Sequence, residues 1–220
     1  IWDKLDVAIN PAFRSGYQKK ILQNENFYFD YFDKLISNGH ISADITPSYS
    51  GLKSKRLKYI KKKFLERGIE TKVVILVREP VSRIKSAVRD KLNRKNFYGG
   101  ITPGETDFLK ALKQYYFQEH CAFRTEYQKI IFEAKQSFYY EDIYVGFYEN
   151  MFEKDEVKRL SDFLQIDTKL EFAKVQINKT PNAVHDETEV DTSIRDFYAD
   201  TYDYFYKNFP ISKELWKYRF

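Results

Sequence analysis

At 220 residues with a formal net charge of +5, the chain is long enough for a compact core and too mildly basic for a dedicated nucleic-acid binder. Hydrophobic residues at 43% against 31% charged give a globular balance, and no apolar run approaches the roughly 20 residues that cross a bilayer. A single cysteine, Cys121, excludes an internal disulfide and a zinc site built on several cysteines; His40, His120 and His185 lack metal-ligand spacing, so no metal is expected.

The chain opens Ile1-Trp2-Asp3, with neither a signal-peptide pattern nor a helix cap, and reads as joined in mid-sequence. Aromatic residues recur at helical spacing in 27–32 and again in 198–209, where they are expected to form core. Residues 40–45 predict a strand ended by Thr46-Pro47, and 52–67 a helix basic on its outer side, with Ser50 as a candidate cap. The run 72–77 is β-branched and continuous, the pattern of a central strand buried on both faces. Pro80 then suits the first turn of a helix with Ile84, Ala87 and Val88 facing inward. Residues 93–107, containing Gly99-Gly100 and Pro103-Gly104, read as a loop bordering a substrate cleft. Helices are predicted over 106–123, 125–135, 154–164 and 192–207, with a further strand at 143–147. No Gly/Ser/Pro-rich linker interrupts this order, which predicts one domain over 1–220. Strands alternating with helices imply an α/β fold with a parallel sheet, whose ligands bind at the carboxyl ends of the strands.

The sharpest feature lies at such an end. Arg78-Glu79-Pro80-Val81-Ser82-Arg83 is followed by Ser86, and a guanidinium fork with a hydroxyl eight residues on suits one terminal phosphate monoester. The competing reading is that Arg78 and Arg83 simply pair with Glu79 or other surface acids.

This stretch resembles the 3'-phosphate-binding element of sulfotransferases that use 3'-phosphoadenosine-5'-phosphosulfate, usually Arg-(Asn/Asp/Glu)-Pro-x-x-Arg with a following Ser. The resemblance implies that Arg78 and Ser86 hold the 3'-phosphate and that Arg83 supports the turn. Asp44-Ile45-Thr46-Pro47-Ser48-Tyr49 is similar to the Glu-Lys-Thr-Pro-x-Tyr element of the glycan-modifying and bacterial members. It implies that Asp44, Thr46, Ser48 and Tyr49 border the acceptor, but Ile45 stands where the family often has Lys. Residues 145–151 resemble the family's Tyr-Glu-Asp-Leu strand end, where Glu149 is expected to hold a helix N-terminus or a neighbouring Arg. Residues 177–182 resemble the C-terminal loop that closes over the nucleotide, with Lys179 completing the phosphate site. Tyr127 falls where the family has Gly-x-Tyr or Ser-x-Tyr beside the nucleotide.

The resemblance further implies a P-loop-like three-layer sandwich with a central parallel sheet flanked by helices. The donor would be 3'-phosphoadenosine-5'-phosphosulfate, the product adenosine 3',5'-bisphosphate, and the acceptor a small molecule or saccharide with a hydroxyl or amine. The expected compartment is the cytoplasm of a bacterium, or the Golgi lumen if an upstream anchor exists. The family's Gly-rich 5'-phosphosulfate loop has no match here, so the chain is expected to begin after it, with the general base upstream. A P-loop nucleotide kinase relative and a non-catalytic nucleotide-binding protein of the same fold are the alternatives.

Overall fold

The computed structural model describes residues 20, 23–37, 39–171, 173 and 189–216. In chain order these form helix α1 (Asn26–Ile36), a 3-10 turn at Pro47–Gly51, helix α2 (Ser54–Leu65), strand β1 (Val73–Val77) and helix α3 (Pro80–Asn93). Helices α4 (Phe108–Tyr115), α5 (Glu119–Ala122) and α6 (Tyr127–Lys135) precede strand β2 (Ile143–Phe147). Helices α7 (Lys154–Leu164), α8 (Glu189–Phe197), α9 (Ala199–Asn208) and α10 (Ser212–Leu215) follow. The class is mixed α/β and mostly helical, and β1 and β2 pair in parallel as a two-stranded sheet. No described helix is long and apolar enough to cross a membrane.

The described residues divide into two compact units, those up to 73 with 132–143, and those of 74–131 with those from 144 onward. In the first, α1 and α2 join through a hydrophobic core of Tyr28, Phe29, Leu52 and Phe64. The Phe29 and Phe64 rings meet edge to face at 5.0 Å, the arrangement favoured by ring quadrupoles. The N-terminus of α2 is closed from afar: Ser54 N–H donates to Glu133 at 2.7 Å, while Ser50 donates to the Pro47 carbonyl and caps nothing.

Residues 40–46, expected to open on a strand, run without secondary structure, and residues 39–45 are exposed, Ile45 by 90%. Ile41, Ala43 and Ile45 alternate with polar residues, but the run is short and no described strand offers this segment a ladder.

In the second unit, α3 packs on α4 and α8, burying Val81, Ile84 and Val88. Tyr202, Phe205 and Trp216 close the aromatic core beside Phe147. Strand β1 departs from the expected burial on both faces: Ile75 and Val77 point inward, whereas Val74 and Leu76 are 41% and 47% exposed. The predicted helix over 106–123 is broken after Tyr115, where the Tyr198 hydroxyl donates to the Tyr116 carbonyl at 2.6 Å. That tertiary bond occupies a carbonyl a continuous helix would have used internally. The predicted helix over 192–207 likewise divides at Tyr198, which is buried and makes that same bond.

Candidate functional site

Arg78 is the first residue after β1, and Tyr148 the first after β2. Parallel pairing sets these two ends side by side, and Tyr148 N–H donates to the Val77 carbonyl at 2.8 Å. The Arg78 guanidinium lies over the Tyr148 ring, 4.4 Å from its centroid. Among the described residues no carboxylate forms an ion pair with Arg78, which is half-buried. Its charge is thus placed at the carboxyl ends of both strands, with no direct ion pair among the described residues but within the field of Glu149.

Backbone bonds fix the direction of that side chain. Arg78 N–H donates to the Tyr127 hydroxyl at 3.3 Å, and the next amide, of Glu79, donates to Glu149 at 2.8 Å. With both amides held from inside, the turn cannot swing without breaking buried bonds. Burial pushes the Tyr127 phenol up to about 12, so it stays a neutral hydroxyl. Burial also raises the Glu149 carboxyl above the usual range, against the lowering effect of the Glu79 amide and of Arg78. The second oxygen of Glu149 is buried with no hydrogen-bond partner.

Glu79 takes no part in holding either arginine. Its buried carboxylate caps α3, accepting from Val81 N–H at 3.0 Å and Ser82 N–H at 2.6 Å, and it also accepts from the Tyr202 hydroxyl. Arg83 instead donates to Thr125 at 2.9 Å and to the Cys121 sulfur at 3.4 Å, bracing the turn between α5 and α6. The pairing of Arg78 or Arg83 with Glu79 is therefore excluded. Glu149 does hold a helix entrance, as expected of it.

Ser86 is half-buried on α3, and Ser82 and Ser86, four residues apart, share one helix face. Among the described residues nothing hydrogen-bonds the Ser86 hydroxyl. Lys179, with the rest of 177–182 and His185, lies outside the described residues.

The acceptor-edge candidates belong to the other unit and form a group of their own. Asp44 accepts from Tyr28 at 2.9 Å, Tyr49 at 2.6 Å and Thr46 at 2.6 Å. Burial, reinforced by the Asp44 charge, pushes both phenols above their ordinary value, so neither is an acid at neutral pH. Ser48 is half-buried and outside this network, and Ile45 projects into solvent. Asp44, Thr46 and Tyr49 are thus brought together, with Tyr28 as an additional member, while Arg78 and Tyr127 come together in the second unit.

Tyr148 and Tyr28 were not singled out from sequence as site residues. For Tyr148 the signal was legible, since a residue just past one parallel strand neighbours the residue just past the next. For Tyr28 no local signal existed, because its hydroxyl reaches an acceptor sixteen residues away. Among the described residues no group of three His, Cys, Asp or Glu side chains is arranged to hold a metal. No family model, no curated protein and no solved structure matches the chain.

Proposed function

We propose that the chain is a sulfotransferase that takes the sulfuryl group from 3'-phosphoadenosine-5'-phosphosulfate and passes it to a hydroxyl or amine of a small molecule or saccharide. One observation carries this reading: Arg78, anchored through its backbone at a strand end, holds its guanidinium over Tyr148 with no direct ion pair among the described residues, the half-buried Glu149 acting on it only through its field. A cation so placed suits a phosphate monoester, because a guanidinium makes two parallel charge-assisted bonds to two oxygens of one phosphate. Ser86, with an unengaged hydroxyl, supplies a single further donor in this reading, and Lys179 another.

In the reaction, the S–O bond to the donor's 5'-phosphate breaks as a bond from the acceptor oxygen or nitrogen to sulfur forms. The acceptor gives its proton to a general base, and adenosine 3',5'-bisphosphate leaves. Arg78 and Ser86 act far from the sulfur; their part is to fix the nucleotide so that the sulfuryl group lies in line with the acceptor. Glu149 and Tyr127 act through Arg78, holding the turn that aims it. The P-loop-like three-layer arrangement belongs to the same proposal, and a pair of parallel strands with helices after each is compatible with its central portion.

Nucleotide choice tests the reading. Adenosine 3',5'-bisphosphate is expected to raise the thermal midpoint without magnesium, because ligand bound to the folded state alone stabilises it. Radiolabelled donor should then pass its sulfur to an acceptor panel. Preference for ATP with magnesium over the bisphosphate refutes the assignment in favour of a kinase relative.

A further inference from the structure

Three more cations gather in the second unit. Arg83 projects from α3 toward Cys121 and Thr125. Lys91, two turns further along α3, is buried with its ammonium 5.1 Å from the Tyr115 ring centroid, and it donates to the Tyr98 carbonyl. Arg124, at the turn before α6, rests 5.1 Å from the Phe123 ring centroid, and its buried Nε has no hydrogen-bond partner among the described residues. Among the described residues none of the three forms an ion pair with a carboxylate: Asp90, next to Lys91, pairs with Arg94 at 2.7 Å and reaches Lys91 only through its field, and Glu126, near Arg124, pairs with Lys129 at 2.6 Å.

Such a group is costly to assemble without an anion. Cations drawn partly out of water repel one another and lose hydration, and aromatic faces compensate only in part. Burial and then the neighbouring Arg124 hold Lys91 below the ordinary lysine range; burial lowers Arg124 too, and Arg83 lowers it further. An oxyanion bound between them would reverse both effects.

The cluster also sits under the loop after α3. Gly99 and Gly100 have φ of +92° and +97°; a Cβ on Gly100 would collide with the Gln118 side chain at 2.5 Å, and one on Gly99 would press on His120 at 3.0 Å. Those glycines let the loop close down on α5 and bring the Tyr98 carbonyl to Lys91. This is the loop expected from sequence to border the acceptor. Lys91 lies five residues past Ser86, about 7.5 Å along the helix axis and about 140° around it, so it leaves α3 on a different face from the hydroxyl that would share a phosphate with Arg78.

We propose that Lys91 and Arg124, backed by Arg83, form a second oxyanion site that takes an acidic group, carboxylate or sulfate ester, carried by the acceptor. As an anion site it stands on the cluster alone; its assignment to the acceptor rests on the sulfotransferase reading. The Arg124 Nε–H resonance, assigned by its loss in Arg124→Gln, is the reporter. It is followed by NMR in the Arg78→Ala protein, where the strand-end site is disabled, during titration at constant ionic strength. The probes are inorganic sulfate, glucuronate and glucose.

Sulfate and glucuronate are expected to shift the reporter and glucose to leave it unmoved. Lys91→Met, which keeps the stem against Tyr115 but gives up the bond to the Tyr98 carbonyl, should weaken both anions by about tenfold or more with only a small change in thermal midpoint, because the lost bond is offset by the lost repulsion. No shift with either anion overturns the site, as does an equal shift with glucose or undiminished binding in Lys91→Met. A shift with sulfate but not glucuronate overturns the acceptor assignment. Adenosine 3',5'-bisphosphate binding, measured separately, should weaken roughly 30- to 1000-fold in Arg78→Ala and persist in Lys91→Met. Its absence from the unsubstituted protein counts against the sulfotransferase reading without touching the cluster.

Discussion

Replacing Arg78 by Ala separates ligand binding from stability more cleanly than any other change in this chain. The side chain is half-buried, and its described contacts are a ring face and the electrostatic influence of Glu149. Losing the cation–π contact costs about 0.5–1 kcal/mol at such a partly exposed place. The anchoring bond to Tyr127 comes from the backbone amide and survives the substitution. Binding is another matter, since a phosphate deprived of a bidentate charge-assisted partner loses about 2–4 kcal/mol, or roughly 30- to 1000-fold in Kd. Titration calorimetry with adenosine 3',5'-bisphosphate, alongside thermal unfolding of the same samples, measures both quantities. Arg78→Lys should fall between, because the charge remains and the planar fork is lost. Unchanged affinity in Arg78→Ala would remove the residue from the site. A loss of affinity matched by a large fall in thermal midpoint would show that the arginine holds the fold instead.

Three further outcomes are expected. A carboxyl raised in the folded chain contributes stability that is complete below its unfolded value, about 4.3, and lost as pH rises through the folded value. Glu149 is raised by burial, so the stability of Glu149→Gln relative to the unsubstituted protein should increase as pH climbs from about 4, measured by urea unfolding at several pH values; a flat difference refutes the assigned burial effect. Tyr202→Phe removes a buried hydroxyl that donates to the Glu79 carboxylate and should cost about 1.5–3 kcal/mol in the same assay, with a null result arguing against that bond. Asp44→Ala strips the shared acceptor from Tyr28, Tyr49 and Thr46 and should cost about 1–2 kcal/mol; a loss of transfer activity with full stability would instead place Asp44 at the acceptor.

Sequence alone determined what depends on neighbours along the chain. The β-branched run became β1, Pro80 took the first turn of α3, and residues 154–164 form a helix at the expected positions. These are local preferences: a β-branched residue favours a pleated surface, and proline fits a helix start where no amide bond is lost. The placement of Arg78 at a strand end was legible for the same reason.

Tertiary structure decided where charges and hydroxyls are spent. Glu79 was adjacent to Arg78 in sequence and yet went to the helix amides and Tyr202, 123 residues away, because a buried carboxylate requires several donors at once. The strand expected at 40–45 had no ladder to join, and the helices expected over 106–123 and 192–207 broke at Tyr116 and Tyr198, joined by one hydrogen bond. The stacking of Arg78 on Tyr148 and the gathering of Lys91 with Arg124 likewise followed from which elements lie side by side. Pairings across tens of residues leave no periodic trace in a chain, since each depends on the packing of other segments between them.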